Sequence, residues 1–388
     1  MSEIRDIPKH WEVKKLGDVI DKLSLNKIKI KQRDYLQQGK FPVVDQGQAL
    51  IGGYFNDENF VVPSEPPYII FGDHTKVKKL INFKFIAGAD GVKVLKPKSN
   101  IDPRFLYYAI HTIKIDDKGY ARHFQLLEKS DIPLPPLPEQ QAIVAKIEEL
   151  LSELDNGKQQ LQTALQQLKV YRQSLLKWAF EGKLTKPKEM WRNLKLGDVA
   201  NAIDPQPSHR TPPIIPDGIP YVSIKDFDSV LDKIDFLSAR RVSPDVLTEH
   251  LNRYTLENGD FVIGKIGTIG KPVRLVLPQN YSLSANIVLI QPRKINPTYL
   301  YYFFQSNLIE KAFKAGMNAT TQAAFGIQKV RELRIDLPND EEQQLIVDEL
   351  ESKLTLCDKV EETIKLSLQQ AETLRQSILK KAFEGKLV

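Results

Sequence analysis

The segment Arg172-Gln173-Ser174-Leu175-Leu176-Lys177-Trp178-Ala179-Phe180-Glu181-Gly182-Lys183-Leu184 returns at the end of the chain as Arg375-Gln376-Ser377-Ile378-Leu379-Lys380-Lys381-Ala382-Phe383-Glu384-Gly385-Lys386-Leu387. A repeat of this length makes the chain two copies of one plan, and whatever fold one half adopts the other must adopt too. Leu16-Gly17-Asp18-Val19 returns as Leu196-Gly197-Asp198-Val199, and Trp11 as Trp191. Asp102-Pro103-Arg104-Phe105-Leu106-Tyr107-Tyr108 returns as Asn296-Pro297-Thr298-Tyr299-Leu300-Tyr301-Tyr302. From Glu139-Gln140-Gln141 and Glu342-Gln343-Gln344 onward the two copies align without a gap, and their first 130 to 150 residues align worst. A common frame with divergent inserts implies shared mechanics and different ligands.

After Pro133 to Pro138, a stiff proline-rich entry, apolar or small residues follow a three–four spacing: Ile143, Ile147, Leu150, Leu154, Gly157, Leu161, Ala164, Leu168, Tyr171, Leu175 and Trp178. The second copy places Ile346, Leu350, Lys353, Cys357, Val360, Ile364, Ser367, Ala371, Leu374, Ile378 and Lys381 at the same positions. This is a heptad seam. It predicts two helices of about 40 residues, roughly 60 Å each. Neither can stand alone with such a face exposed: the expected answer is that the two pair within the chain, antiparallel about the pseudo-twofold axis of the duplication, the alternative being that each packs separately on its own domain. Gly182 and Gly385 are the expected C-caps. The same symmetry puts the C-terminal end beside residues 1–20.

Ahead of each long helix, Phe41–Val44, Tyr68–Phe71 and Val92–Leu95 read as strands, as do Tyr221–Ile224, Phe261–Ile263 and Asn286–Ile290 in the second half. Asp102-Pro103 and Asn296-Pro297 each read as an N-cap followed by Pro at N1, opening aromatic helices over 104–112 and 298–314. The expected class is α+β (mixed α/β): globular domains at 1–138 and 186–338, spacer helices at 139–185 and 339–388, and a pseudo-twofold internal repeat.

The formal charge of +6 is unevenly placed, roughly +5 in each globular segment, about 0 in the first spacer and about −4 in the second. Two basic blocks on neutral or acidic connectors suit two contacts with a polyanion, although ordinary scatter of charge gives the same sums. The single cysteine, Cys357, leaves no disulfide framework. With no apolar span for a membrane and no signal-peptide core at Met1–Asp6, a cytoplasmic protein is expected.

Catalytic patterns are missing from the sequence. Glu65-Pro66-Pro67-Tyr68 carries Glu where an amino-methyltransferase loop needs Asp or Asn, and no glycine-rich cofactor turn precedes it. Gly264 to Pro272 misses the phosphate-loop spacing by one residue and reads as a Gly-rich hairpin. The six histidines are scattered, so no metal cluster is expected. What remains is polar readout chemistry on loops. In the first half the candidates are Gln46, Gln48, Asp73, His74, Thr75, Lys76, Lys78, Lys79, Arg122, His123 and Gln125. In the second they are Ser208, His209, Arg210, Lys225, Lys265, Lys271, Asn318, Thr320, Thr321 and Gln322. Amides and Arg suit base edges, and Lys and Thr suit phosphates. Each loop, taken singly, also fits a solvated turn.

Leu134-Pro135-Pro136-Leu137-Pro138-Glu139-Gln140-Gln141, the two Ala-Phe-Glu-Gly-Lys-Leu copies and the two Leu-Gly-Asp-Val starts resemble the specificity subunits of type I restriction–modification systems over the whole chain. The second entry departs from the pattern, with Leu337-Pro338-Asn339-Asp340 keeping one proline of three. The resemblance implies two target recognition domains, each reading half of a bipartite, asymmetric site in double-stranded DNA, and a coiled coil that sets the spacing between halves. Its implied spacer residues are Ile147, Leu150, Leu154, Leu161, Leu168, Leu175, Leu350, Val360, Ile364, Leu374 and Ile378. It implies two methyltransferase (M) subunits bringing S-adenosylmethionine for adenine methylation, restriction (R) subunits bringing ATP- and Mg-dependent cleavage, and no cofactor, metal or catalytic residue on this chain. One helical turn, about four residues, would shift a recognition domain by between one and two base pairs. The competing reading is a coiled-coil scaffold with two protein-binding domains.

Overall fold

The computed structural model describes residues 7–25, 28–88, 91–115, 122–185, 191–208, 210–228, 232–265, 271–316 and 326–388. It forms two compact units, one of Met1–Gln162 with Lys365–Val388 and one of Thr163–Ile364. Each unit therefore takes the start of one long helix and the end of the other.

In the first unit a four-stranded antiparallel sheet runs in the order Ile20–Lys22, Val92–Pro97, Tyr68–Gly72, Lys78–Ile81. A second sheet runs Lys29–Ile30, Ile86–Gly88, Phe41–Val44, Gly53–Phe55. Tyr68–Gly72 is buried along its whole length because both of its faces are covered. Ile69 and Phe71 join the core beneath the helices, and Tyr68 and Ile70 join the core with Phe85, Val92 and Val94. The apolar run Tyr-Ile-Ile-Phe is what such a strand requires. The strands Glu12–Lys15 and Asp131–Leu134 pair antiparallel and tie the two ends of the globular body together.

The second unit repeats this plan. Its four-stranded sheet runs Ala200–Ile203, Ile287–Pro292, Phe261–Gly264, Pro272–Arg274, and a three-stranded sheet runs Arg240–Val242, Ile219–Val222, Ser282–Leu283. Arg192–Lys195 pairs with Arg334–Leu337. The strands flanking the Gly-rich stretch pair antiparallel, Phe261–Gly264 with Pro272–Arg274, and residues 266–270 between them lie outside the described residues.

Both aromatic helices start as expected. Asp102 accepts from the amides of Arg104 and Phe105, and Asn296 from those of Thr298 and Tyr299. The second helix is shorter than expected. Pro297–Gln305 stops at Ser306, whose backbone is extended, and Asn307–Gly316 begins anew. Phe105 packs edge-on to Phe383, 5.1 Å between ring centroids, and Phe180 packs on Tyr299 at 5.1 Å and Phe303 at 5.4 Å. The Phe of each Ala-Phe-Glu-Gly-Lys-Leu copy thus anchors a globular body to a long helix.

The long helices are Leu137–Phe180 and Asp340–Phe383, and within each unit they run antiparallel. In the first unit Asp155 accepts from Arg375, and Lys158 donates to Glu372 at 2.9 Å. In the second, Arg172 reaches Asp358 at 2.7 Å and Glu361 at 3.0 Å. Part of the seam lies one residue from its expected place. Ile147, Leu154, Leu161, Leu168, Leu175, Leu350, Cys357, Ile364, Ala371 and Ile378 are buried or half-buried, as expected. Leu150 also packs against the first unit's core. Tyr171, Trp178, Val360 and Leu374, however, are 41%, 40%, 40% and 51% exposed. Their places on the seam are taken by Arg172, Ala179, Glu361 and Arg375, the next residues along. Apolarity misled here because long arginine stems lie along the seam while their charged heads reach carboxylates across it.

Both C-caps are left-handed, with φ of 67° at Gly182 and 68° at Gly385. The amide of Lys183 bonds to the Trp178 carbonyl and that of Lys386 to the Lys381 carbonyl, closing each helix in a Schellman turn. A Cβ on Gly385 would stand 2.5 Å from Pro8 Cδ and 3.4 Å from Trp11 Cζ2. The C-terminal end therefore does close onto the start of the first globular body. Gly157 is different: nothing lies within 4 Å of an added Cβ, and it sits mid-helix. Gly157→Ala should raise stability by about 0.5–1 kcal/mol, whereas Gly385→Ala should lower it by about 1–2 kcal/mol or more. Chemical denaturation of the two variants beside the parent measures both.

Candidate functional site

In the first unit the fold gathers three polar loops that are far apart in sequence. Asp45 to Gln48 leaves the strand Phe41–Val44, Gly72 to Val77 turns the hairpin after Tyr68–Gly72, and Arg122 to Gln125 opens the helix Phe124–Glu128. Gln46 Oε1 accepts from the His74 amide at 3.3 Å, and the Gln46 carbonyl accepts from Thr75 Oγ1 at 2.7 Å. A Cβ on Gly91 would lie 2.7 Å from Gln46 Oε1 and 2.8 Å from His74 Cδ2. Asp73 Oδ1 accepts from the Phe124 amide at 2.8 Å, and the Asp73 carbonyl meets His123 Nδ1 at 3.0 Å. Gln48, Thr75, Arg122 and Gln125 are exposed, and His74 and Lys76 are half-buried. Lys76 takes a left-handed turn at φ 58°.

Several residues expected to face a ligand are instead used inside the fold. Asp73 is 3% exposed, with Lys93 Nζ 3.6 Å from its carboxylate, and His123 is fully buried. The Lys79 ammonium, 4% exposed, donates to the Asp45 and Ala49 carbonyls. Lys78, its neighbour on the edge strand, is half-buried, and burial pushes its pKa down to about 8. His111 beside it is also lowered, first by burial and then by the Lys78 charge, against a raising bond to the Tyr107 carbonyl.

In the second unit, Ser208, Arg210, Lys225 and Lys271 are exposed, and Lys265 is not. Lys265 Nζ donates to Asp204 Oδ2 at 2.6 Å and to the Ala285 carbonyl at 2.9 Å. Gln206 Nε2 donates to Ser208 Oγ at 2.8 Å, while its carbonyl oxygen meets Nε2 of buried His250. Asn286 Oδ1 accepts from the Ile224 amide at 3.3 Å, fixing the turn that carries Lys225. The backbone bond from Lys265 to Asn286, 2.9 Å, matches that from Asp73 to Gly91, 2.7 Å, so the two sites occupy corresponding corners of the repeated fold. His209, Asn318, Thr320, Thr321 and Gln322 lie outside the described residues.

Residues outside the list of candidates hold these loops. Asp45 and Asp204 each cap their own turn, accepting from the amides of Gly47 and Gln206. The Glu-Gln-Gln repeat is mechanical. Gln140 Oε1 accepts from the Asp102 amide at 2.8 Å and its Nε2 donates to the Pro135 carbonyl at 2.9 Å. Gln343 does the same with the Asn296 amide, 2.8 Å, and the Pro338 carbonyl, 3.0 Å. The exact repetition of the motif was the signal for this role.

Residues 8–166 and 188–370 match the family model described as the type I restriction modification DNA specificity domain. The chain is 26% identical over 330 residues to the type I restriction enzyme EcoBI specificity subunit of Escherichia coli, covering 76% of this chain and 68% of that protein. It is 29% identical over 282 residues to the EcoKI specificity subunit of Escherichia coli strain K12, covering 66% of this chain and 58% of that protein. The crystal structure of the HsdS subunit from Thermoanaerobacter tengcongensis has the same fold, with a TM-score of 0.59, 20% identity and 98% of each chain covered. No helix among the described residues is long and apolar enough to cross a membrane.

Proposed function

The chain belongs to the family of type I restriction–modification DNA specificity domains, carried twice, and we propose that it is the sequence-reading, non-catalytic subunit of such an enzyme. Each unit reads one half of a bipartite, asymmetric site in double-stranded DNA through its gathered loops. The two long helices set the spacing of the halves and dock two methyltransferase subunits, with restriction subunits joining that assembly. S-adenosylmethionine, ATP and Mg belong to those partners. The observation that carries this reading is the twofold family match, each copy spanning a body in which polar loops from distant stretches meet at one corner. The divergence of the loops between units, Gln46–Thr75 in one and Ser208–Lys225 in the other, supports two different half-sites.

Duplex DNA binding, measured with the cognate methyltransferase subunits present, should weaken steeply with salt, as phosphate contacts demand. Affinity that ignores salt would favour a protein-binding scaffold. Affinity should also fall as pH rises from 7 to 9. Lys78 loses its charge through about 8, and a neutral amine holds a phosphate poorly. Lys78→Arg should flatten that profile. The group's effect on stability has the opposite sign. The unfolded lysine titrates near 10.5, so between about 8 and 10.5 the unfolded chain binds the extra proton and stability rises with pH.

A further inference from the structure

We propose that Lys79 and Lys265 are positioning residues that determine half-site specificity without touching DNA, each fastening the loops of its own unit from within. This rests on the functional reading above and adds to it which cations do not face the phosphates.

An ammonium has three donors and no acceptor. Lys79 gives two of them to the carbonyls of Asp45 and Ala49, and the Asp45 carboxylate stands 3.8 Å away. Both ends of the Asp45–Ala49 loop are thereby tied to the edge strand Lys78–Ile81, which pairs with Tyr68–Gly72 through Lys79 opposite Ile70. That tie sets Gln46 against the His74 amide and Thr75, and leaves Gln48 exposed at the loop's tip.

Lys265 does the same work from another place. Its side chain is 11% exposed, and it joins the Asp204 carboxylate, ahead of exposed Ser208 and Arg210, to the Ala285 carbonyl. Asn286, the next residue, carries the bond on to the Ile224 turn and Lys225. The two lysines are not equivalent in the repeat: Lys265 corresponds to Asp73, by the matching backbone bonds to Asn286 and Gly91. Two non-equivalent positions thus use the same device, an ammonium turned inward onto loop oxygens at the same corner: Lys79 holds both ends of one loop, and Lys265 joins two segments. Carbonyls that lose this cation lose the donor that ties them to the sheet, and the loops they belong to shift.

Contact and positioning predict different salt behaviour. Removing a lysine that neutralises a phosphate lowers the slope of log affinity against log salt by about 0.9. Removing a positioning lysine leaves the slope in place and blurs the bases read by its own unit. The test uses the chain assembled with its methyltransferase subunits, carrying Lys79→Met, Lys79→Arg, Lys265→Met or Lys265→Arg. Salt titrations of duplex binding and single-molecule sequencing of methylated adenines are the readouts.

The expected result is a slope within about 0.3 of the parent's for all four variants. Discrimination should fall by about tenfold or more in one block only, the first for Lys79 and the second for Lys265. The Arg variants keep the charge, and they carry the test if a Met variant fails to fold. A slope reduced by about 0.9 in the Met variants with both blocks still read, or full parental behaviour in the Arg variants, overturns the proposal. A parent complex that reads no bipartite site overturns the functional reading itself, before any variant is made.

Discussion

A chain lengthened by seven residues after Gln162 and seven after Ile364 should methylate a site whose two specified blocks stand about two or three base pairs further apart. Those positions are the borders between the compact units, one on each long helix. Seven residues add about 10.5 Å of helix, against about 3.4 Å per base pair. The accompanying turn of the DNA, about 34–36° per base pair at 10–10.5 base pairs a turn, opposes the larger figure. Seven is the length to insert because the buried positions Leu350, Cys357, Ile364, Ala371 and Ile378 recur at that interval, so a heptad preserves the seam. A four-residue insert is instead a stutter that locally unwinds the pair. A double-heptad variant that keeps the parental spacing would remove the ruler from the account.

Replacing Gln343 by Leu should destabilise the second unit by about 2–6 kcal/mol, since it leaves the Asn296 amide and the Pro338 carbonyl without their partner, at about 1–3 kcal/mol for each orphan. Gln140→Leu should do the same to the first unit through the Asp102 amide and the Pro135 carbonyl. Both glutamines are 1% exposed, so water cannot take over the lost bonds. Glu at either position retains the acceptor but loses the donor and buries a charge, and should be no better tolerated. Thermal unfolding checks this, with a fall in Tm on the order of 10 °C expected for each variant. A fall under about 2 °C would show the clamp to be ornamental.

The repeat made the architecture legible. Once two copies were recognised, the twin bodies, the antiparallel helices, the Gly182 and Gly385 caps and the closure of the C-terminal end onto Pro8 and Trp11 all followed from symmetry. The strands were legible because a strand covered on both faces must be apolar throughout, as Tyr68–Phe71 and Phe261–Ile263 are. The seam was legible in most positions and not in all. Periodicity marks apolar residues, and Arg172 and Arg375 enter the interface through their stems, displacing Tyr171 and Leu374 outward. The polar loops were found as a set, and their meeting at one corner depends on tertiary contacts such as Gln46 with Thr75. Which cation faces outward was not legible at all. Lys76, Lys78 and Lys79 are near-neighbours of one residue type, and only packing separates the half-buried Lys78 from the internally bonded Lys79. The Glu-Gln-Gln clamp was visible as a motif, but its hydrogen bonds to Asp102 and Asn296 cross 38 and 47 residues of chain.

Single-molecule sequencing of adenine methylation, in cells carrying this chain together with its methyltransferase subunits, tests the central claim most directly. The account predicts one asymmetric motif of two short specified blocks with a fixed unspecified gap, which vanishes when the chain is deleted. A continuous motif without a gap, or methylation that persists unchanged after deletion, would contradict it.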